Sequence, residues 1–172
     1  HGENPALPVF RGKIGMSQGW FSIGTNLLLF GIKLFFGIIS NSIALIADSF
    51  HTLSDMASSA VVVFGFRMAG KPADKEHPFG HGRAETISAL IISILIGFVG
   101  FEFLKTSINR LIYIEPIQVT QVLFMVVLIT IIMKEILARL SYSLGETINS
   151  DTLKADAIHH RSDMFSSVLV LI

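Results

Sequence analysis

The sequence contains no cysteine and little charge. Lysine, arginine, aspartate and glutamate together make up 15% of the 172 residues, against roughly 25% in an ordinary soluble domain. The absence of cysteine excludes a disulfide scaffold and thiolate metal ligands. The 13 basic residues balance 13 acidic ones, which argues against a basic nucleic-acid-binding protein. So few charged residues do not cover the surface of a soluble domain of this length, and the remaining class is an integral membrane protein.

Long uncharged runs locate the membrane-spanning helices. Residues 14–32, 86–101 and 116–133 contain no charged side chain, and about 20 mostly apolar residues cross the hydrocarbon core as a helix. The sequence therefore predicts an all-α membrane protein, a polytopic helical bundle that forms one transmembrane domain over 1–172. We expect five spans, near 15–38, 43–67, 86–110, 116–138 and 154–172. The second and fifth spans are the least apolar, because each contains ionisable residues near its middle.

The distribution of basic residues predicts the orientation in the membrane. One side of the predicted bundle collects nine of them: Arg11, Lys13, Arg67, Lys71, Lys75, Arg83, Lys134, Arg139 and Lys154. The other side has three, Lys33, Lys105 and Arg110. By the positive-inside rule, we expect the N-terminus to be cytoplasmic. We expect the membrane to be the cell (inner) membrane. Lys33 and Lys105 are expected to extend their ammonium groups to the outer interface.

An internal repeat relates the second and fifth spans. Residues 47–59 and 155–167 align at an offset of 108 and are identical at eight of thirteen positions, two aspartates and one histidine among them. Small residues that pack helices closely explain some of these matches, but they do not explain matched ionisable residues. Because the two spans run in opposite directions, the pattern is that of an inverted repeat, in which ligands bind near the bilayer midplane.

Each copy of the repeat contains a His-x-x-x-Asp motif. The spacing places an imidazole and a carboxylate on one face of a helix, one turn apart. If the two faces meet, His51, Asp55, His159 and Asp163 supply two nitrogen and two oxygen ligands. Such a set suits tetrahedral Zn²⁺ and also accepts Co²⁺, Fe²⁺, Mn²⁺ or Cd²⁺. No basic residue is expected to face the two aspartates, so a metal ion or protons supply their counter-charge. Helix-holding His–Asp hydrogen bonds are the structural alternative.

Other polar residues of the spans have less specific assignments. Asp48 and Asp156, one turn before the histidines, either orient the imidazoles or form hydrogen bonds that pack the helices. His160 has no counterpart in span two and is expected at the helix surface or along an access route. Asn26 and Glu102 are candidates for lining a path.

The connection between spans two and three contains a second group of candidate ligands. Asp74, His77 and His81 lie within eight residues, beside prolines and glycines that favour a tight irregular turn. The three side chains, with the neighbouring Glu76, are candidates for a second metal site. The alternative is a capped turn that leads into span three.

These residues resemble a known family. The two His-x-x-x-Asp motifs, together with the segment HPFGHGRAE at 77–85, are similar to the cation diffusion facilitators over nearly the whole chain. The resemblance implies a homodimer whose protomers have six spans and a cytoplasmic C-terminal metal-binding domain; the sixth span and that domain are absent from this chain. It also implies transport through His51, Asp55, His159 and Asp163, and in some members a second ion at Asp74, His77 and His81.

The leading hypothesis is therefore a metal/proton antiporter that exports Zn²⁺ from the cytoplasm by alternating access, with a homodimer in the lipid bilayer and no nucleic-acid partner. An exporter of Fe²⁺ or Mn²⁺ from the same family is the first alternative. A scaffold or sensor in which bound metal only holds the helices together is the second. A membrane metalloenzyme is disfavoured, because the sequence has no H-E-x-x-H and no separate general base beside the motifs.

Overall fold

The computed structural model describes residues 6–112 and 121–170. The described residues form five α-helices and no strand: α1 (Ala6–Ile39), α2 (Ile43–Ala69), α3 (Arg83–Ile112), α4 (Gln121–Thr147) and α5 (Asp151–Val170). The predicted all-helical architecture is confirmed. Three segments are long and apolar enough to cross a membrane, namely Phe10–Ile39, Arg83–Glu102 and Gln121–Thr147.

The helices extend beyond some of the predicted spans. α1 begins at Ala6 and not near 15, and α4 continues to Thr147, past the predicted end at 138. Both extensions contain charged or polar residues, so hydropathy does not detect them although the helix continues. The predicted start of span four at 116 and the end of span five at 172 lie outside the described residues.

Two helical hairpins, α1–α2 and α4–α5, have the same turn. Asn41 and Asn149 both adopt the left-handed conformation with φ 49°, which asparagine tolerates better than most residues. The next residue, Ser42 or Ser150, donates its backbone N–H to the carbonyl oxygen five residues earlier, at 2.9 and 2.8 Å. A glycine supplies that carbonyl in both hairpins. The offset of 108 thus extends the repeat backwards through both turns.

The two hairpins point in opposite directions. Arg11, near the start of α1, donates through Nε to the carbonyl oxygen of Ile148 at 2.7 Å and pairs with Glu85 at 3.3 Å. Thr152 also donates to the carbonyl oxygen of Glu85 at 2.6 Å. The start of α1, the start of α3 and the α4–α5 turn therefore meet at one end of the bundle. The α1–α2 turn lies at the other end, which makes α2 and α5 antiparallel, as expected of an inverted repeat.

Two apolar clusters separate a polar layer from the ends of the bundle. One cluster lies at the Arg11 end and consists of Val62, Phe66, Ile92, Ile148, Leu153 and Ala155. The other lies at the opposite end and consists of Leu45, Leu123, Val126 and Val127. Between them, the middle parts of α2, α4 and α5 bury ionisable side chains. Burying such groups inside a membrane protein costs free energy unless they are paired or functional. This polar layer is therefore the candidate position of a functional site.

Close packing between α2 and α3 generates a stability prediction. A Cβ atom at Gly65 would lie 2.7 Å from the Cβ atom of Ser88, which is fixed to its helix and cannot rotate away. We expect Gly65→Ala to destabilise the fold by about 1–3 kcal/mol through overpacking, measured by thermal unfolding in detergent. Gly97→Ala is the matched control, because a Cβ atom there meets nothing within 4 Å. Equal unfolding temperatures for the two variants would contradict the α2–α3 contact.

Candidate metal centre

Two antiparallel helices position the four predicted ligands. His51 and Asp55 lie one turn apart on α2, and His159 and Asp163 lie one turn apart on α5. His51 Nε2 is 3.8 Å from Asp55 Oδ1, and His159 Nε2 is 3.7 Å from Asp163 Oδ2. Both distances exceed that of a hydrogen bond. The imidazoles are therefore held beside the carboxylates on the same helix face without donating to them.

The structure brings three of these four residues into one group. Ligand atoms of His51, Asp55 and Asp163 all lie within 4.8 Å of one another. His159 is not a member of that group and approaches it through Asp163. The predicted convergence of α2 and α5 is thus observed for the two carboxylates and one imidazole, with the second imidazole at their edge.

Burial differs across the site. The His51 side chain is 46% exposed, whereas Asp55, His159 and Asp163 are each at most 4% exposed. Both ring nitrogens of His159 are buried and have no hydrogen-bond partner among the described residues. The same is true of Asp163 Oδ1. A buried polar atom without a partner costs about 1–3 kcal/mol. Asp163 Oδ1 and the unprotonated ring nitrogen of a neutral His159 have lone pairs that can ligate a cation.

A lysine that the sequence analysis assigned to the cytoplasmic flank occupies the centre of the polar layer. Lys134 is 1% exposed, and its Nζ donates to Asp55 Oδ2 at 2.8 Å and to Asp163 Oδ2 at 2.7 Å. The expectation that no basic residue faces the two aspartates is therefore wrong. So is the assignment of Lys134 to the cytoplasmic flank, because α4 continues thirteen residues beyond it to Thr147.

Helical periodicity contains the signal that would have found this lysine. The buried residues of α4 form one stripe at spacings of three and four: Leu123, Val126, Val127, Thr130, Lys134, Leu137, Ala138, Ser141 and Gly145. A stripe that includes a lysine indicates a buried cation. Counting basic residues by loop alone assigned Lys134 to the membrane surface.

A second buried lysine also differs from its prediction. Lys33 is 2% exposed, and its Nζ lies 2.8 Å from Asp48 Oδ2 and 2.7 Å from Thr52 Oγ1. Its expected extension to the outer interface is wrong, because Asp48 on α2 supplies a counter-charge inside the bundle. Asp48 thus pairs α1 with α2 and does not orient His51. Without Lys33 and Lys134, the charge bias between the two predicted faces keeps its direction.

A polar cluster lies one turn before the site on α5. Asp156 Oδ2 accepts from Ser141 at 2.9 Å and lies 3.3 Å from His160 Nε2. Ser22 of α1 lies 3.2 Å from the same nitrogen, and Gln18 donates to Ser141 at 2.6 Å. Asp156 therefore forms hydrogen bonds that pack α1, α4 and α5, which is one of its two predicted functions.

The remaining polar predictions have mixed outcomes. His160 is 0% exposed, so its expected position on the helix surface is wrong; the contact with Asp156 draws it inward. Asn26 is also fully buried, and both of its amide atoms lack a hydrogen-bond partner among the described residues. Glu102 and Lys105 are exposed. Of the two path candidates, Asn26 and Glu102, only Asn26 lies inside the bundle.

The loop between α2 and α3 also brings its predicted ligands together. Ligand atoms of Asp74, His77 and His81 lie within 4.8 Å of one another. Asp74 Oδ1 is 3.3 Å from His77 Nδ1, and Asp74 Oδ2 is 3.5 Å from His81 Nε2. Gly80, with φ 79°, supplies the left-handed residue that turns the chain back. Glu76 contributes its backbone N–H to Asp74 and no ligand atom to this group.

The loop holds Asp74 in its ionised form. The backbone N–H of His77, at 2.7 Å, is the main cause that lowers the pKa of Asp74, and the N–H of Glu76 acts in the same direction. Since hydrogen bonds to a carboxylate favour the charged state, Asp74 stays deprotonated to a lower pH than an ordinary aspartate. A deprotonated carboxylate is the form that ligates metal.

The sequence matches a known protein family and several curated proteins. The cation efflux transmembrane domain family matches residues 19–172. The chain is 41% identical to an uncharacterized transporter of Methanocaldococcus jannaschii, over 88% of this chain and 53% of that protein. It is 33% identical to the manganese efflux system protein MneP of Bacillus subtilis, over 94% and 54%, and 32% identical to the magnetosome protein MamM of Paramagnetospirillum magneticum, over 88% and 48%.

The chain spans about half the length of these curated relatives. The matched region includes both His-x-x-x-Asp pairs, Lys134 and the loop cluster of Asp74, His77 and His81. A helical membrane bundle is the architecture that the sequence resemblance implied. The chain therefore belongs to the cation efflux family, the cation diffusion facilitators, as a transmembrane domain.

Proposed function

We propose that this domain moves divalent transition-metal ions out of the cytoplasm through His51, Asp55, His159 and Asp163. The observation on which the proposal depends is the approach of Asp55 and Asp163 in the middle of an inverted repeat. Ligands of inverted-repeat transporters bind between the corresponding helices of the two halves. Membership in a family of cation efflux proteins supports the same activity, and no enzymatic step is assigned.

The ligand set favours a divalent cation as cargo. Two carboxylates that approach each other inside a membrane protein repel unless a cation lies between them. Two imidazole nitrogens beside them complete a set of four ligands, which is the number that tetrahedral metal sites use. Because three of the four side chains are almost fully buried, the bound ion would exchange most of its hydration shell for these ligands.

Two ions are the candidate cargoes, each favoured by a different observation. The His₂Asp₂ set favours Zn²⁺, which takes nitrogen and oxygen ligands tetrahedrally. The relatives MneP and MneS of Bacillus subtilis are named manganese efflux system proteins, which favours Mn²⁺. Affinity alone does not decide between them, because binding strength follows the Irving–Williams order and cellular use does not.

Exchange for protons is the coupling that this chemistry suits. Protons and metal ions compete for the same imidazoles and carboxylates, so a pH gradient can drive release. We further propose a cytoplasmic N-terminus in a cell membrane, from the bias of basic residues, and a homodimer, from the family resemblance.

Metal flux into proteoliposomes tests the transport proposal. We expect Asp163→Asn to reduce Zn²⁺ or Mn²⁺ accumulation under an imposed pH gradient to the leak rate of protein-free vesicles, because it removes a charged ligand from the site. Asp151→Asn is the matched control on the same helix. Asp151 is exposed in the first turn of α5 and should retain wild-type flux.

Undiminished flux in the Asp163→Asn variant would show that the site is assigned to the wrong residues. Metal binding without flux in the wild-type full-length protein would favour the alternative scaffold or sensor. Competition between Zn²⁺ and Mn²⁺ in the same assay distinguishes the two cargoes.

We also propose that Asp74, His77 and His81 bind a second divalent ion at the cytoplasmic face. Their ligand atoms already converge, and the loop holds Asp74 ionised through backbone N–H groups. The predicted turn into α3 is present as well, since Ala84 N–H donates to the carbonyl oxygen of His81 at 2.9 Å. The capped turn and the metal site are therefore compatible.

Calorimetry on the full-length chain tests the loop site. We expect Asp74→Asn to weaken Zn²⁺ binding at the loop at least tenfold, whereas Glu76→Gln leaves it unchanged. The lowered pKa of Asp74 means that its ionised form, and any stability it gives the loop, persists from neutral pH down through the usual range near 3.8 and is lost only below it. Acid release of the ion at pH 5–7 therefore does not come from Asp74. An equal loss in the Glu76→Gln variant would contradict the ligand assignment.

A further inference from the structure

Lys134 holds the two carboxylates of the transport site with its own ammonium group. Nζ lies 2.8 Å from Asp55 Oδ2 and 2.7 Å from Asp163 Oδ2, and the lysine is 1% exposed. The contacts join α4 to both α2 and α5 in the middle of the bundle. The ammonium reaches the two aspartates from inside the bundle, because Lys134 lies on the buried stripe of α4.

A metal ion and this ammonium cannot both occupy the position between Asp55 Oδ2 and Asp163 Oδ2. Zn²⁺ binds carboxylate oxygens at about 2.0–2.2 Å, so an ion that used Asp55 Oδ2 and Asp163 Oδ2 would take the space that Nζ now occupies. Two cations a few ångströms apart in a buried site repel strongly. Binding of the ion therefore requires the ammonium to leave at least one of the two carboxylates.

The ammonium leaves the pair of carboxylates with a net charge of −1, whereas a divalent ion in its place would leave a net charge of zero. Two carboxylates carry two negative charges, and the ammonium between them cancels one. Without Lys134, the metal-free site would bury both negative charges with no cation among the described side chains within salt-bridge distance of Asp55 or Asp163 except the neighbouring histidines. The lysine keeps the metal-free site compatible with burial.

We propose that Lys134 is an internal cation that competes with the cargo for Asp55 and Asp163. This inference rests on the proposed transport site. Lys134 lowers the affinity for metal by the interaction that it must give up, and it takes the place of the ion after release. It is a positioning residue that sets metal affinity, not a ligand.

Lys33 offers a matched comparison inside the same bundle. It is equally buried, at 2% exposure, and its ammonium lies 2.8 Å from an aspartate of α2. That aspartate, Asp48, is not one of the four ligands. A general effect of removing a buried lysine would appear at both positions, whereas direct competition appears only at Lys134.

Zn²⁺ titration calorimetry on the full-length protein at pH 7.5 tests the proposal. All proteins contain Asp74→Asn so that the loop does not obscure the result. We expect Lys134→Met to bind Zn²⁺ at least tenfold more tightly than the parent, and Lys33→Met to change the affinity less than threefold. Lys134→Gln, whose amide can still donate to a carboxylate, provides a second neutral variant.

Each outcome of the Zn²⁺ titration either supports or overturns the proposed competition. Unchanged or weaker Zn²⁺ binding in the neutral Lys134 variants overturns the proposal, as does an equal rise in Lys33→Met. Neutral variants that fold only with Zn²⁺ support it, because the ion then replaces the ammonium; variants that unfold with or without Zn²⁺ overturn it.

An Asp163→Asn arm in the same background separates this inference from the proposed function. Loss of Zn²⁺ binding there, with no change in Lys134→Met, refutes only the competition. Retained binding in Asp163→Asn refutes the transport site itself.

Discussion

The rest of the structure depends on the electrostatic problem of burying Asp55 and Asp163 side by side. A carboxylate in a low-dielectric interior is stable only with a cation or hydrogen-bond donors nearby. Here one ammonium, that of Lys134, reaches both acids from a third helix. Removing one partner of a buried ion pair typically costs about 3–5 kcal/mol, so these contacts fix the relative positions of α2, α4 and α5 at mid-bundle. They also occupy the carboxylate oxygens at which the proposed metal ion would bind.

The inverted repeat explains why the two acids meet. The α1–α2 and α4–α5 hairpins share a left-handed asparagine, a following serine and the same backbone hydrogen bond. The two hairpins point to opposite ends, so corresponding helices cross in opposite directions and their His-x-x-x-Asp motifs arrive at the same depth. Apolar clusters close the bundle on both sides of this level. The symmetry is broken by Lys134, which belongs to the α4 half alone.

The helices and the spacing of each candidate histidine from its aspartate were predictable because they depend on local sequence. An i, i+4 pair lies on one helix face whatever the tertiary structure, and the match between 47–59 and 155–167 placed His51 and Asp55 opposite His159 and Asp163. The loop triad was likewise accessible from spacing within eight residues.

The buried lysines were not predictable in the same way. Counting basic residues per loop treats every lysine as an orientation signal, whereas Lys33 and Lys134 each meet an aspartate from another helix. Such pairings depend on how the helices pack against each other. The periodicity of a single helix indicates a buried lysine only where the lysine falls within that helix's stripe of buried residues. His160 was misplaced for the same reason, since Asp156 and Ser22 draw it into the interior.

The central claim is that one divalent ion is bound between α2 and α5 by the paired motifs. Anomalous diffraction from crystals of the full-length protein grown with Zn²⁺ or Mn²⁺ tests it most directly. The account predicts a peak about 2.0–2.2 Å from oxygen atoms of Asp55 and Asp163 and in contact with imidazole nitrogens of His51 and His159. A peak at the loop of Asp74, His77 and His81, with none between the two helices, would contradict it.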